Sequence, residues 1–431
     1  MRGVTACAGA LLAALAWPAC AQQGEPELVD IDLSLALNYA AHVHDVAPRT
    51  TQRGGQMNLK FAHDNASFTV RGEGRVRWND AYRNRAYGEA ARDAYVHSAD
   101  WRELYVAGDL SGWNVSFGLQ QVVWGKADNL RVVDQVNPVD LRDFILPELN
   151  DYRKPVPMLR GTRAIGDWQL EMLYLPRFVP TSFARPGSEY EIVQLDPQLL
   201  ETVRLLPEQR PARTFSNGEF GVQLSRSIAS LDVSGFLFQT WDDNPLYRQV
   251  AVSDAAGNPE FGLQPVYLRQ FMAGLALAHA MGNGLVLRSE LAYVPNYRYM
   301  VVAGSDDGIV RSPTVTALLG LDYQWRDWLL TVQANDRHIS GWTPDYLVKK
   351  HDPLYTVAAT GTAFAGKLDS RLSLARFFGE GGYVAQARGT WKPDDRWAYT
   401  AGADFFGGDD GGVFGRFRHK DRIWLELKYS F

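Results

Sequence analysis

Histidines beside carboxylates are the residues of this sequence best suited to metal binding or acid–base catalysis. His42, His44 and Asp45 lie close together, and a spacing of two residues puts both imidazoles on one face of a strand. Asp336 and His338 form a second, weaker group. The sequence contains no G-x-S-x-G, H-E-x-x-H or Walker-type motif beside them. We therefore interpret both groups as solvated loop residues, and predict no catalytic residue, no metal site, no cofactor and no enzymatic activity.

A different chemistry is indicated by the segment from Trp124 to Gly161, which mixes many acidic and basic residues. Apolar residues such as Val132 and Phe144 interrupt the charges, so the segment can bury side chains and become ordered. Paired charges of opposite sign across a narrow passage select polar or charged solutes. The residues predicted to act in this way are Lys126, Asp128, Arg131, Asp134, Asp140, Arg142 and Asp143.

The first residues of the chain have the pattern of a secretory signal peptide. Arg2 is followed by an apolar stretch from Ala8 to Trp17, and Ala19-Cys20-Ala21 is a small-x-small cleavage site. Cleavage before Gln22 is predicted, although Cys20 also permits a lipoprotein interpretation. The chain has 2 cysteines, Cys7 and Cys20, so the mature segment 22–431 would have no disulfide. No later stretch is long and apolar enough for a membrane helix.

Strict alternation of apolar and polar residues runs through almost the whole mature chain. The stretch "DIDLSLALNY" puts Ile31, Leu33, Leu35, Leu37 and Tyr39 on one face, and "RIWLELKYSF" at the C-terminus repeats the pattern. Alternation of this kind is typical of a strand with one wet and one dry face. Abundant aromatics, 13 Trp, 19 Tyr and 20 Phe, cluster near strand ends, as in the interface belts of membrane barrels, and Trp124 at the end of a predicted strand 112–124 is among them.

The connectors between these strands alternate between short and long. Ser111-Gly112 is typical of a two-residue hairpin, whereas segments such as 125–155 and 177–213 are long. Sorting by parity is what a meander across a bilayer requires, with tight turns on the periplasmic side and long loops outside. The sequence thus predicts an all-β fold: a transmembrane, antiparallel, up-and-down barrel of about eighteen strands, with sixteen or twenty as alternatives. An even number places the N- and C-termini in the periplasm.

Positions opposite the lipid-facing parity should line the lumen, and they carry both signs of charge. Arg71, Glu73, Arg75 and Arg77 occupy one face of a predicted strand at 66–80 and form a basic ladder with one acid inside it. A barrel of this size is wide enough for water. We expect segment 125–155 to fold inward and narrow the lumen, the alternative being an external cap. In the loop 177–213, "LDPQLLETVRLLPEQ" predicts a short amphipathic helix.

One stretch resembles a known family. The order Trp124-Gly125, then Asn137-Pro138-Val139-Asp140-Leu141, then the Pro-rich return Pro155 to Leu159 is similar to a domain of unknown function found in Gram-negative outer-membrane proteins. The overall layout is also similar to alginate-export-type barrels and to substrate-specific porins. The resemblance implies an outer-membrane location and does not indicate a substrate.

Together these observations predict an outer-membrane channel for small polar or amphipathic solutes. Nearly balanced charge, 44 Lys+Arg against 49 Asp+Glu, gives no indication of a nucleic-acid partner. The expected partners are outer-membrane lipid and lipopolysaccharide, an unknown solute, and the outer-membrane assembly machinery, whose signal resembles the C-terminal strand ending at Phe431. The alternatives are a structural or adhesion barrel with partner-binding loops, and a hydrolase sited at the rim.

Overall fold

The structure is a computed structural model, and it describes residues 29–127, 130–192, 203–253, 259–379 and 381–431. The predicted signal peptide (residues 1–21) and the predicted pore residue Asp128 lie outside the described residues. Both therefore stay predictions.

Eighteen antiparallel strands form a single closed sheet. Each strand pairs with its neighbours in the chain, and the first pairs with the last, which leaves no open edge. In chain order the strands are β1 Asp30–His42, β2 Thr50–Asp64, β3 Thr69–Asn79, β4 His97–Leu110, β5 Trp113–Gln120, β6 Val156–Ile165, β7 Trp168–Leu175, β8 Glu219–Ile228, β9 Leu231–Trp241, β10 Arg269–Gly282, β11 Leu285–Met300, β12 Ile309–Trp325, β13 Trp328–Ile339, β14 Leu354–Ala363, β15 Leu368–Phe377, β16 Tyr383–Trp391, β17 Trp397–Gly407 and β18 Arg422–Ser430. The predicted barrel of about eighteen strands is confirmed.

The C-terminal strand closes the barrel in the predicted manner. In β18, Arg422 lies opposite His42 of β1 and opposite Asp404 of β17. Ser430 lies opposite Ser34 at the other end of the β1–β18 ladder. Closure satisfies the backbone hydrogen bonds of both terminal strands, which a barrel in a bilayer requires.

The connectors are sorted by rim as predicted. Five turns on one rim contain two residues each, for example 111–112 and 283–284. Ser111 and Gly112 have φ of 51° and 79°, as type I′ hairpins require. The opposite rim carries the long loops, among them 80–96, 121–155, 176–218 and 242–268. The connector 378–382 is an exception, because it is no longer than 392–396 on the tight-turn rim.

The barrel wall has two chemically distinct faces. On β12, Leu319 and Leu321 are 59% and 42% exposed, whereas Leu318 and Asp322, which flank them in the sequence, are each 2% exposed. Successive side chains of a strand point to opposite faces. We call the exposed apolar parity outward and the other parity inward.

The long loops contain their own small elements. Short strands occur at Asp140–Leu141 and Ser182–Phe183, which pair with each other, and at Val203–Leu205, Leu246–Ser253 and Pro259–Val266, which form a three-stranded sheet. The α-helices are Glu89–Tyr95 and Leu149–Tyr152, and 3-10 turns lie at Asp80–Arg83, Phe215–Asn217 and Gly415–Phe417. Within the described residues, no helix has the length and apolarity to cross a membrane.

The predicted amphipathic helix in the loop 177–213 is wrong at its C-terminal end. Val203–Leu205 is a strand that pairs in parallel with residues from Phe261 to Leu263. Backbone hydrogen bonds to another loop outweigh the local helical pattern there. The rest of the predicted helix, up to residue 202, lies outside the described residues.

Candidate functional site

Loop 121–155, which connects β5 to β6, begins with an anchor at Trp124. The indole N–H donates to Glu171 Oε1 of β7 at 2.7 Å, and the ring is 2% exposed. Its centroid lies 5.2 Å from that of Phe236 and 5.7 Å from that of Phe238 on β9. Leu237 between them is 53% exposed and faces outward, so Trp124 packs on the inward face. The prediction that Trp124 belongs to an interfacial belt is therefore wrong.

Gly125 brings the loop backbone against Glu290 of β11. The Glu290 carboxylate is 1% exposed and accepts the backbone N–H groups of Lys126 at 2.5 Å, Ala127 at 2.8 Å and Val133 at 3.2 Å. A Cβ at position 125 would lie 2.9 Å from Glu290 Oε1. Only glycine allows this approach without a shift, which explains the Trp-Gly sequence in physical terms.

Apolar side chains of the loop pack on the inward face of the wall. Leu130, Val132, Val133 and Val136 are buried together with inward residues of several strands. Those wall residues include Met158 of β6, Leu173 of β7, Met272 of β10 and Leu318 of β12. The apolar residues that interrupt the charges thus supply the contact that orders the loop.

Asn137 ties the two ends of loop 121–155 together. Its side chain is 0% exposed; Nδ2 donates to the carbonyl oxygens of Gln120 (3.0 Å) and Lys154 (2.8 Å), and Oδ1 accepts the backbone N–H of Val122 (2.8 Å). These three hydrogen bonds of the Asn137 side chain all go to backbone atoms. The Asn-Pro part of the sequence motif is therefore a structural tie.

Two predicted pore residues, Arg131 and Asp134, serve inside the loop. Arg131 Nη2 donates to the carbonyl oxygens of Asp134 (2.5 Å) and Asn137 (2.7 Å). Asp134 Oδ2 accepts from Arg153 Nη2 at 2.6 Å, and these two side chains are 5% and 3% exposed. Burial and pairing make these groups part of the loop framework.

The predicted basic ladder on β3 is divided in the structure. Arg71 pairs with Asp64 at 2.7 Å near a tight turn, and Glu73 pairs with Lys60 at 3.6 Å across β2. The structure does not bring these residues to the loop. Arg71 is held by a local acid and lies apart from the loop, so the role of the whole ladder in orienting an anion stays a prediction.

The remaining ladder residues meet the loop. Arg75 Nη2 lies 3.0 Å from Asp100 Oδ2 of β4. Arg77 reaches Asp100 at 3.6 Å, Asp143 at 3.7 Å and Asp140 at 4.0 Å. Arg142 holds the Asp140 carboxylate with its Nη2 at 2.5 Å from Oδ2. Five of the predicted residues, Arg75, Arg77, Asp140, Arg142 and Asp143, therefore form one network between β3 and loop 121–155.

Two cavities of about 640 Å³ each flank the part of the loop around Leu146 and Pro147. The first, cavity A, is lined by the loop, by residues of β11 and of β14 to β18, and by Phe414. The second, cavity B, is lined by the loop and by residues of β1 to β4 and of β15 to β18. Glu148 of the loop and Arg388 of β16 line both, and they are paired with each other.

The histidine groups have structural partners. His42 Nε2 lies 2.9 Å from Glu189 Oε1, whereas His44 Nε2 lies 3.0 Å from Asp421 Oδ2. The two imidazoles thus bond to different carboxylates. The interpretation of His42 as a solvated loop residue is wrong, because it is the last residue of β1 and is 2% exposed. Asp336 Oδ2 bonds to His351 Nδ1 at 2.7 Å. Among the described residues, no group of three or more side chains is arranged to hold a metal ion.

An eighteen-stranded closed barrel whose chain meanders between tight turns and long loops has the fold of outer-membrane porins. OccAB4 of Acinetobacter baumannii superposes with a TM-score of 0.53 at 9% identity, over 95% of this chain and 100% of that one. OccAB2 of the same organism gives 0.52 at 11%, over 94% and 98%. OpdK of Pseudomonas aeruginosa, solved with vanillate, gives 0.51 at 11%, over 95% and 100%. At identities this low, the superpositions establish a shared fold alone.

The sequence itself matches a family model described as "Protein of unknown function (DUF1302)" over residues 38–431. The protein therefore belongs to the DUF1302 family. A comparison with curated proteins gave no match.

Proposed function

We propose that this protein is an outer-membrane channel through which small polar or amphipathic solutes diffuse. The observation that carries the proposal is the way loop 121–155 is held. Glu290, Trp124 and the buried valines hold it against one side of the barrel, and cavities A and B remain beside it. A wide barrel that is narrowed in this way suits a selective passage.

The membrane location is supported by the outward face. Leu275, Leu319 and Leu425 are 52%, 59% and 58% exposed. Exposed leucines that recur from strand to strand form an apolar surface of the kind that contacts a membrane, whereas a soluble protein exposes such residues singly. Aromatic residues such as Trp325 and Trp391 lie at the tight-turn rim, at the level of lipid headgroups. In this proposal outer-membrane lipid and lipopolysaccharide cover the outward apolar face of the barrel. The long loops face the outside of the cell, and both termini are periplasmic. The assembly machinery would read β18 and Phe431 after a signal peptide has been removed.

The network between β3 and the loop would form a constriction of mixed charge. Arg75 and Arg77 lie on the wall, and Asp140 and Asp143 lie on the loop across from Arg77. Arg75, Arg77, Arg142 and Asp143 line cavity B, so a solute in that cavity would meet both signs of charge, which select and orient polar solutes. In this proposal Lys126, Arg131 and Asp134 support the loop, while the β3 network faces the solute.

Conductance of the purified full-length protein in planar bilayers tests the channel. We expect an open-channel current, and a larger one after deletion of residues 128–152. The control is deletion of residues 303–306, which line neither cavity and belong to the connector between β11 and β12. A protein that inserts without any current would overturn the proposal and favour a structural or adhesion barrel. An unchanged current in the 128–152 deletion would overturn the role of the loop.

A further inference from the structure

Two arginines face each other directly on the inward wall. Arg371 of β15 and Arg388 of β16 are register partners, and both side chains line cavity A. Like charges directly opposite each other across two strands are unfavourable. The pair therefore needs an anionic group nearby.

A carboxylate from the loop pairs with Arg388. Glu148 Oε1 contacts Arg388 Nη1, and the two side chains are 53% and 35% exposed. Arg371 reaches Thr360 Oγ1 at 3.5 Å. The ion pair between Glu148 and Arg388 thus lies in open water of the lumen, at the place where the two cavities meet.

The exposure of this ion pair distinguishes it from its neighbours. Arg422 and Asp404 are 14% and 2% exposed at 2.7 Å, and Arg288 and Asp322 are 23% and 2% exposed at 2.6 Å. Those pairs are shielded and fixed by the wall. A pair that is half exposed is weak and screened by salt, so another carboxylate can replace the one supplied by the loop.

Resting on the function proposed above, we infer that Arg371 and Arg388 form a binding site for the carboxylate of a permeating organic anion. Glu148 occupies this site when no solute is present. The guanidinium groups recognise a carboxylate by paired hydrogen bonds. Glu148 acts as an internal competitor, and its displacement lets the solute pass from one cavity to the other.

The rest of cavity A indicates the body of the solute. Leu146 of the loop faces the space together with Leu354, Val384 and Phe414. Apolar side chains beside a cationic binding site fit an anion that carries an aromatic or short aliphatic group. The solute class is therefore an amphipathic monocarboxylate.

Benzoate is a suitable probe and benzamide its uncharged match. We expect millimolar benzoate, added to one side of a bilayer that contains the full-length protein, to reduce the small-ion current, and benzamide to leave it unchanged. Glu148→Gln removes the competitor and should lower the half-blocking benzoate concentration by up to about fivefold. Arg388→Gln should raise it about tenfold or more, and Arg388→Lys should recover only part of the loss.

The control is Glu73→Gln, which also removes one negative charge from the inward wall but lines neither cavity and pairs with Lys60 on β2. If only the general field mattered, Glu73→Gln and Glu148→Gln would strengthen the benzoate block equally. That outcome, or a block insensitive to Glu148→Gln, would overturn the inference and leave the channel intact. A protein without any current would overturn the channel itself. Heat-modifiable migration of each variant checks that the barrel has assembled.

Discussion

The Glu290 carboxylate accepts the backbone N–H of Ala127 at 2.8 Å, and this bond joins the wall of the barrel to loop 121–155. The same carboxylate also accepts the N–H groups of Lys126 and Val133. A single side chain therefore fixes two separate points of the loop. The position of the loop therefore depends on a buried acid of the wall.

Replacement of Glu290 by alanine should release the loop. Three backbone donors would lose a charged acceptor, and a hydrogen bond to a charged group contributes about 1.5–3 kcal/mol. We expect a larger and noisier single-channel current and a lower unfolding temperature. Glu73→Ala is the control, because its carboxylate pairs with Lys60 on the wall at 3.6 Å. Identical current traces for the two variants would argue against this role of Glu290.

Asn137→Ala should loosen the loop at its base. The substitution leaves the N–H of Val122 and the carbonyl oxygens of Gln120 and Lys154 without this partner, at a cost of about 3 kcal/mol in all. Limited proteolysis of the protein in detergent should then cut within residues 121–155. Asn137→Asp keeps the acceptor but buries a negative charge against the carbonyl oxygens of Gln120 and Lys154, so its cleavage should be at least as fast as that of Asn137→Ala. Resistance of Asn137→Ala to cleavage would contradict the tie.

The barrel could be predicted from sequence because its determinants are local. Alternation with period two shows which face of a strand is apolar, and connector length shows at which rim a connector lies. Closure of β1 on β18 follows because a barrel in a bilayer can leave no strand edge open. The expected strand 112–124 was too long, since β5 ends at Gln120. Beyond that residue strand parity no longer applies. For this reason Trp124 was assigned to an outer belt, although it lies on the inward face.

The site was harder to predict because its pairs join distant parts of the chain. Arg371 and Arg388 have inward parity on adjacent strands, so their register could have been expected. No local signal indicates that Glu148 reaches Arg388 or that Asp143 reaches Arg77. These partners depend on where a folded loop places its side chains. The sequence therefore shows which residues carry charge and leaves their pairing undetermined.

Acid should detach the long loop 176–218 from the barrel rim. Burial tends to raise the pKa of Glu189, but hydrogen bonds from His42 and Tyr87 and the charge of Lys420 outweigh burial and hold this pKa below its usual value. A carboxylate with a lowered pKa stabilises the docked loop above its unfolded pKa of about 4.3, and the contribution disappears as the pH falls through the lower, folded value.

Hydrogen exchange of residues 185–192 between pH 3 and pH 7 would measure this effect. We expect protection to be constant from pH 5 to pH 7 and to decrease below about pH 4. Glu189→Gln should reduce protection at neutral pH and remove the acid step. A decrease at acid pH that persists in Glu189→Gln would assign the step to another group.

Two glycines of the wall give opposite expectations for the same substitution. At Gly221 of β8 a Cβ would lie 2.5 Å from Trp124 Cη2 and 3.1 Å from Phe238 Cδ2, both buried aromatic rings. At Gly389 of β16 the nearest atom, Leu368 Cδ1, would be 3.9 Å away. Gly221→Ala should therefore lower the free energy of unfolding by about 1–3 kcal/mol through overpacking. Gly389→Ala should be neutral or stabilising by about 0.5 kcal/mol, because alanine restricts the unfolded chain.

Urea unfolding of the two variants in lipid vesicles, followed by tryptophan fluorescence, separates these outcomes. Equal stability would show that Trp124 can move away from Gly221, so that the anchor of loop 121–155 is adjustable.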